Sequence, residues 1–66
     1  MQYMVKKVDM SNVKNVDDYI KASNNATIKY CNGLNEVTEY CGGKLHRCRN
    51  GYAGFIGDIE YVAVKV

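Results

Sequence analysis

Four turn-forming dipeptides in the second half of the chain constrain its fold more than any other feature. They are Asn32-Gly33, Gly42-Gly43, Asn50-Gly51 and Gly57-Asp58. Glycine and asparagine reach the positive φ angles of two-residue hairpin turns at the least steric cost. The short segments between these dipeptides have the length of typical strands. The spacing therefore predicts a β-meander, a run of antiparallel strands that fold back on one another.

Two elements are expected ahead of the meander. Residues 2–8 alternate in the manner of a strand, and residues 16–23 carry apolar side chains at helical spacing. Asn15 is a suitable N-cap, and Asp17 and Asp18 lie in the first turn, where negative charge favours a helix. The helix is too short to hold without tertiary contacts, so it should pack on the sheet.

The meander itself is predicted to contain five strands, at residues 26–31, 34–41, 44–49, 52–56 and 59–66. Residues 1–66 form one domain, because a chain of this length is too short to divide. The expected fold class is α+β, with a short helix packed on an antiparallel meander of five to six strands. A chain this small has a limited core, and disulfides, a metal or self-association would add stability.

Two-residue turns also fix which side chains share a face of the sheet. The face predicted to lie under the helix is apolar and holds Ile28, Val37, Cys48, Ala53, Phe55, Val62 and Val64. The opposite face is mixed, with a charged row of Lys29, Glu36 and Arg49. Its apolar residues are buried if the sheet curls into a small barrel and exposed if it stays open. The sequence leaves both alternatives open.

Composition narrows the classes of function. The net charge of +2 is too small to indicate nucleic-acid binding by itself. No apolar run approaches the roughly 20 residues of a membrane span, and the N-terminal residues lack the layout of a secretory signal. We therefore expect a cytoplasmic protein without a membrane partner. The three cysteines are an odd number, which suggests reduced thiols rather than a disulfide framework.

Cysteine and histidine raise the questions of metal binding and catalysis. Cys31, Cys41, His46 and Cys48 are zinc-ligand types, but they lack the close pairs that structural zinc sites use. Glu39 faces His46 in the predicted register, so a Cys-His-Glu line can be drawn. A catalytic cysteine also needs an oxyanion donor and a pocket, for which this chain has little room. We expect no enzyme and no cofactor, and a metal-stabilised cysteine protein remains a third alternative.

The mixed face is the predicted binding surface. The chain is interpreted as a small non-enzymatic interaction module that binds a protein partner or itself. The predicted partner-binding residues are Tyr40, Leu45, Arg47, Arg49, Tyr52, Ile56 and Tyr61. The alternative is nucleic-acid or nucleotide binding through Arg47, Arg49 and Tyr52, since single-strand binders place aromatic rings beside cations.

The brevity and the composition of the chain resemble those of small accessory proteins of large phages. That resemblance implies binding to a host protein, or its inhibition. It is a likeness of overall style, and no residue motif contributes to it.

Overall fold

The computed structural model describes residues 1–66, which form two helices and five strands. In chain order they are β1 Gln2–Asp9, α1 Val16–Asn24, β2 Thr27–Asn32, α2 Leu34–Cys41, β3 His46–Cys48, β4 Gly51–Ile56 and β5 Ile59–Lys65. The predicted α+β class, with a short helix packed on an antiparallel sheet, is confirmed.

All five strands belong to one antiparallel sheet, in the order β2-β1-β5-β4-β3. The last three strands follow one another as a meander. The first strand, β1, lies between β2 and β5 and so is an interior strand of the sheet. The edge strands β2 and β3 do not pair with each other, so the sheet stays open and no barrel forms.

The predicted strand at 34–41 is wrong, because this segment is the helix α2. Its apolar residues Leu34, Val37 and Cys41 recur at helical spacing, and the last two are buried. Consequently Val37 does not pair with Cys48. It lies in the core, whereas Cys48 is exposed on the edge strand β3.

The glycines around α2 have the positive φ angles that the sequence suggested, but they serve the helix ends. Gly33 (φ 98°) precedes the first turn, and Gly42 (φ 74°) ends the helix in the left-handed conformation. The amide of Gly42 donates to the carbonyl of Thr38, as in a common helix C-cap. The glycine-containing dipeptides therefore indicated where the chain reverses direction. They did not distinguish a hairpin turn from the end of a helix.

The final hairpin has the predicted register, and the preceding one is displaced. In the β4–β5 hairpin Ile56 lies opposite Ile59, as expected from the Gly57-Asp58 turn. In the β3–β4 hairpin His46 pairs with Ala53, two residues from the predicted partner. A shift of two residues keeps every side chain on its face.

That displacement gives Gly51 a different role. It starts β4 rather than completing the turn, and a Cβ at this position would overlap the carbonyl oxygen of Ala63 on β5. Gly51 is therefore needed where two strand backbones come close together.

One side of the sheet, here called the packed face, carries the hydrophobic core. Tyr3, Val5, Cys31, Tyr61 and Ala63 share this face by register and are buried. Val37 and Cys41 of α2, together with Leu45, complete the same cluster. The helix α2 thus lies on the face that was expected to be free.

The first helix lies on the other side of the sheet. Asn15 caps it by accepting a hydrogen bond from the amide of Asp18, as predicted. The Tyr19 hydroxyl donates to Glu60 on β5 at 2.9 Å, and Lys6 on β1 bonds the Ser23 hydroxyl. Val8 of β1 is fully buried, yet no residue of α1 itself is buried.

Candidate functional site

The seven predicted partner-binding residues do not form one exposed surface. Leu45 and Tyr61 are only 8% and 6% exposed and belong to the core. Tyr40 and Ile56 are partly buried and pack against that core. Leu45 and Tyr61 are buried because α2 covers the face assigned to a partner, and partner binding by the seven residues stays a prediction.

Two of the predicted residues, Arg47 and Arg49, are exposed. Tyr52 is partly buried and packs against the core, as Tyr40 and Ile56 do, but it lies beside the two arginines. They lie together near one corner of the sheet, where they line a single cleft. These are the residues of the predicted nucleic-acid surface.

The exposed apolar surface lies on the face that was expected to be covered, here called the open face. By register it holds Met4, Ile28, Tyr30, Ala53, Phe55, Val62 and Val64. Phe55 is 61% exposed, Tyr30 56% and Ile28 45%. The sequence pattern predicted Ile28, Ala53, Phe55, Val62 and Val64 as one face, and the strand register confirms this. It also placed Val37 on that face, which is wrong because Val37 lies on α2. The helix α1 lies on the predicted side of the sheet but leaves Phe55 and Ile28 exposed.

The open face stays open because α1 is too small to cover it. The helix has nine residues and crosses from Glu60 on β5 to Lys6 on β1. Phe55 on β4 and Tyr30 on β2 lie on strands to either side of those two. The exposed residues therefore lie on both sides of α1, and together with the apolar side chains of the helix itself they form the candidate binding surface.

The outward side of α1 is apolar as well. Val16 and Ile20 are both exposed, although sequence spacing had placed them with Tyr19 on the buried side. Of these three residues, Tyr19 is the one that bonds the sheet, through its hydroxyl to Glu60. Exposed apolar side chains therefore occur both on the strands of the open face and on the helix α1 that packs against them.

A second surface, the cationic corner, consists of Arg47, Arg49, Tyr52 and Lys65. These residues line a cleft of about 360 Å³ together with Cys48, Asn50, Gly51 and Val64. No acidic residue is among the eight that line it. Tyr52 lies opposite Arg47 on one side and Ala63 on the other, and Lys65 follows Ala63 by two residues on the same face.

Acidic residues gather at the opposite end of the sheet. Asp9 ends β1 beside Ile59, and the amide of Met10 bonds the carbonyl of Asp58. The amide of Ser11 donates to the Asp9 carboxylate, and this bond lowers the pKa of Asp9. Lys7 and Lys21 line the same clefts as Asp9, so this end carries charges of both signs, whereas the charged residues that line the cleft at the cationic corner are all cations.

The cysteines and the histidine do not assemble a reaction centre. Cys31 and Cys41 are buried, and burial raises the pKa of both thiols, whereas Cys48 is exposed. Glu39 lies on α2 near Lys29, while His46 lies on the edge strand β3, so the predicted Cys-His-Glu line does not form. No group of three or more His, Cys, Asp or Glu side chains is placed to hold a metal ion.

Neither helix has the length and apolar character needed to cross a membrane. Comparison with known proteins gives no match to a protein family, to a curated protein or to a solved structure.

Proposed function

We propose that this chain is a small, non-enzymatic protein-interaction module that docks through its open face. The observation that carries the proposal is the exposure of Phe55, Tyr30 and Ile28 on a sheet face that α1 leaves uncovered. Aromatic residues are enriched at the centres of protein interfaces, where they act as anchors.

The occupant that fits this surface is a second copy of the chain. A two-fold interface must be self-complementary, since the same patch meets itself. Here the exposed side of α1, with Val16 and Ile20, can fill the space above the uncovered strands of the partner. Each helix then lies beside the other, between two sheets.

Charge and size agree with this arrangement. The ionic groups of the open face near α1 are already engaged, Lys6 with Ser23 and Glu60 with Tyr19. Five strands at about 4.8 Å and five residues at about 3.3 Å give a face of roughly 400 Å² in projection. A standard interface buries about 800 Å² per partner, so the sheet face needs the exposed side of α1 as well to approach that size.

The limited core gives the same indication. Ten of the 66 residues are buried, and the three cysteines are free. Domains of this size commonly gain stability from disulfides, metals or self-association. Covering the open face would add apolar burial at about 25 cal/mol per Å².

The test places a photo-reactive phenylalanine analogue at position 55 and, as a control, at Thr38 on the exposed side of α2. With purified protein, we expect position 55 to cross-link to residues 16–24 of a second copy and position 38 to give no dimer. Sedimentation should show a dimer for the wild type and for Phe55→Leu, and a monomer for Phe55→Lys.

Three outcomes would count against the proposal in different ways. If the protein stays monomeric at several hundred micromolar and position 55 gives no cross-linked adduct, the proposal is wrong. If the dimer instead cross-links through α2, the interface lies on the other side of the sheet and the proposed face is wrong. An adduct in cells between position 55 and a different protein, without a dimer, retains the interaction module and rejects the second copy as its partner.

A further inference from the structure

The cationic corner shares Val64 with the open face, but its cations lie on the opposite side of the sheet. Arg47, Tyr52 and Lys65 stand on three consecutive strands of the sheet, β3, β4 and β5. All three side chains are on the packed-face side by register. Arg49, in the turn after β3, completes the set that lines the cleft. An occupant of the open face would leave this corner accessible.

The cations of this corner are available to a ligand. None of the side-chain hydrogen bonds within the protein involves Arg47, Arg49 or Lys65. Guanidinium groups bind phosphate through two parallel hydrogen bonds, a geometry that lysine cannot offer. Two arginines and one lysine around a single small cleft therefore match a short run of phosphate groups.

The cleft also contains an aromatic ring in a fixed position. The Tyr52 ring meets the Tyr3 ring edge-on, with centroids 6.1 Å apart. Because Tyr3 is buried in the core, it supports Tyr52 from below. With strands about 4.8 Å apart, cations lie one strand away on each side of this ring. Proteins that bind single strands likewise combine aromatic rings, on which bases stack, with a positively charged groove.

We propose that the cationic corner binds single-stranded nucleic acid, with backbone phosphates on Arg47, Arg49 and Lys65 and one base stacked on Tyr52. A base paired inside a duplex is stacked on its neighbours and cannot stack on Tyr52, so the site favours a single strand. The cations of this site lie on the packed-face side of the sheet, away from Phe55 and Tyr30.

The experiment measures the fluorescence anisotropy of a labelled twelve-nucleotide oligothymidylate at 20, 50 and 100 mM salt. Three phosphate contacts at about 0.7 each predict a slope near −2 for the logarithm of the affinity against the logarithm of the salt concentration. The variant R47Q/R49Q should bind at least about tenfold more weakly, with a slope lower in magnitude by about 1.4.

A matched double variant removes the same net charge elsewhere. Lys14 and Lys21 are exposed, before and within α1 respectively, so K14Q/K21Q should change the affinity less than about twofold. Tyr52→Leu should weaken binding about fivefold or more, and Tyr52→Phe, which keeps the ring, should not. Phe55→Lys should bind as the wild type does, whatever its oligomeric state.

Four results would overturn the assignment. The first is no binding at 20 mM salt and 100 µM protein. The second is an equal loss in R47Q/R49Q and K14Q/K21Q, which indicates attraction by net charge alone. The third is equal affinity for a duplex of the same length. The fourth is displacement by poly-glutamate as effective as by unlabelled oligothymidylate, which identifies an acidic peptide as the ligand.

Discussion

The two faces of this sheet have nearly the same apolar content and opposite environments. The packed face holds Val5, Tyr61 and Ala63 under α2, and the open face holds Tyr30, Phe55 and other apolar residues that α1 leaves exposed. Alternating side chains along the strands place apolar residues on both faces equally well. The difference is caused by the helices, because α2 buries two of its residues in the core and α1 buries none. The alternation of apolar residues therefore identifies which residues share a face of the sheet. It does not show whether a helix of the same chain covers that face.

The largest expected contrast comes from placing the same charge on each face. Val5→Lys should abolish folding, because Val5 is 0% exposed and an unpaired buried charge costs more than about 4 kcal/mol, comparable to the stability of so small a domain. Phe55→Lys should shift the monomer's unfolding free energy by less than about 0.5 kcal/mol. Urea unfolding followed by circular dichroism measures both. Equal losses would show that the open face is as well packed as the other.

The thiols report the same contrast without changing the fold. The exposed Cys48 should react with a disulfide reagent at pH 8 within seconds, and the buried Cys31 and Cys41 about 100-fold more slowly, since they react only after the core opens. Burial raises the pKa of both core thiols, which further lowers their thiolate fraction. Stopped-flow absorbance gives the count of fast thiols, and Cys48→Ser should remove the fast phase. Three fast thiols in the native protein would contradict the described core.

A smaller effect separates the two helices. Asn15 caps α1 through the amide of Asp18, so Asn15→Ala should cost about 1 kcal/mol. Because α1 buries no residue, we expect this loss to appear as local opening. Hydrogen exchange should accelerate in residues 16–24 and remain unchanged in 34–41. Acceleration in both helices would show that α1 and α2 unfold as one unit.

The smallest expected effect concerns the contact between α1 and the open face. Tyr19→Phe removes the hydroxyl that donates to Glu60, at a cost of about 0.5–1.5 kcal/mol. The same hydrogen bond raises the pKa of Tyr19 above its usual value near 10. Its stabilisation is therefore complete below pH 10 and is lost as pH rises through the higher folded pKa. The difference in unfolding free energy between wild type and Tyr19→Phe, measured by urea unfolding, should therefore shrink above pH 10. A difference that grows above pH 10 would contradict this assignment.

Local signals in the sequence predicted much of the fold. The N-cap at Asn15 located α1, and the Gly57-Asp58 turn gave the correct pairing of Ile56 with Ile59. The segment 34–41 failed because positive φ at Gly33 and Gly42 suits a helix terminus as well as a hairpin. The helical spacing of Leu34, Val37 and Cys41 was the signal that distinguished the two.

The candidate surfaces were predicted only in part, for a physical reason. Arg47, Arg49 and Tyr52 were grouped correctly although the predicted pairing was two residues out, because a shift of two residues keeps each side chain on its face. Leu45 and Tyr61 were misplaced, because their burial depends on α2 and not on their own strands. Lys65 was missed for a related reason. Its position beside Tyr52 follows from the pairing of β4 with β5, and a lysine in a strand carries no signal of its own.

The position of β5 in the sheet has a consequence for the order in which the molecule can form. This strand is the last of the five along the chain, yet it joins β1 to β4 in the middle of the sheet. Until it is synthesised and in place, the ribbon of β2 with β1 and the ribbon of β4 with β3 have no hydrogen bonds to each other. Val5 finds its neighbour Ala63 only across almost the whole chain, and such distant pairing slows folding. A nascent chain without β5 would present two unpaired strand edges, the kind of surface that aggregates or recruits a chaperone.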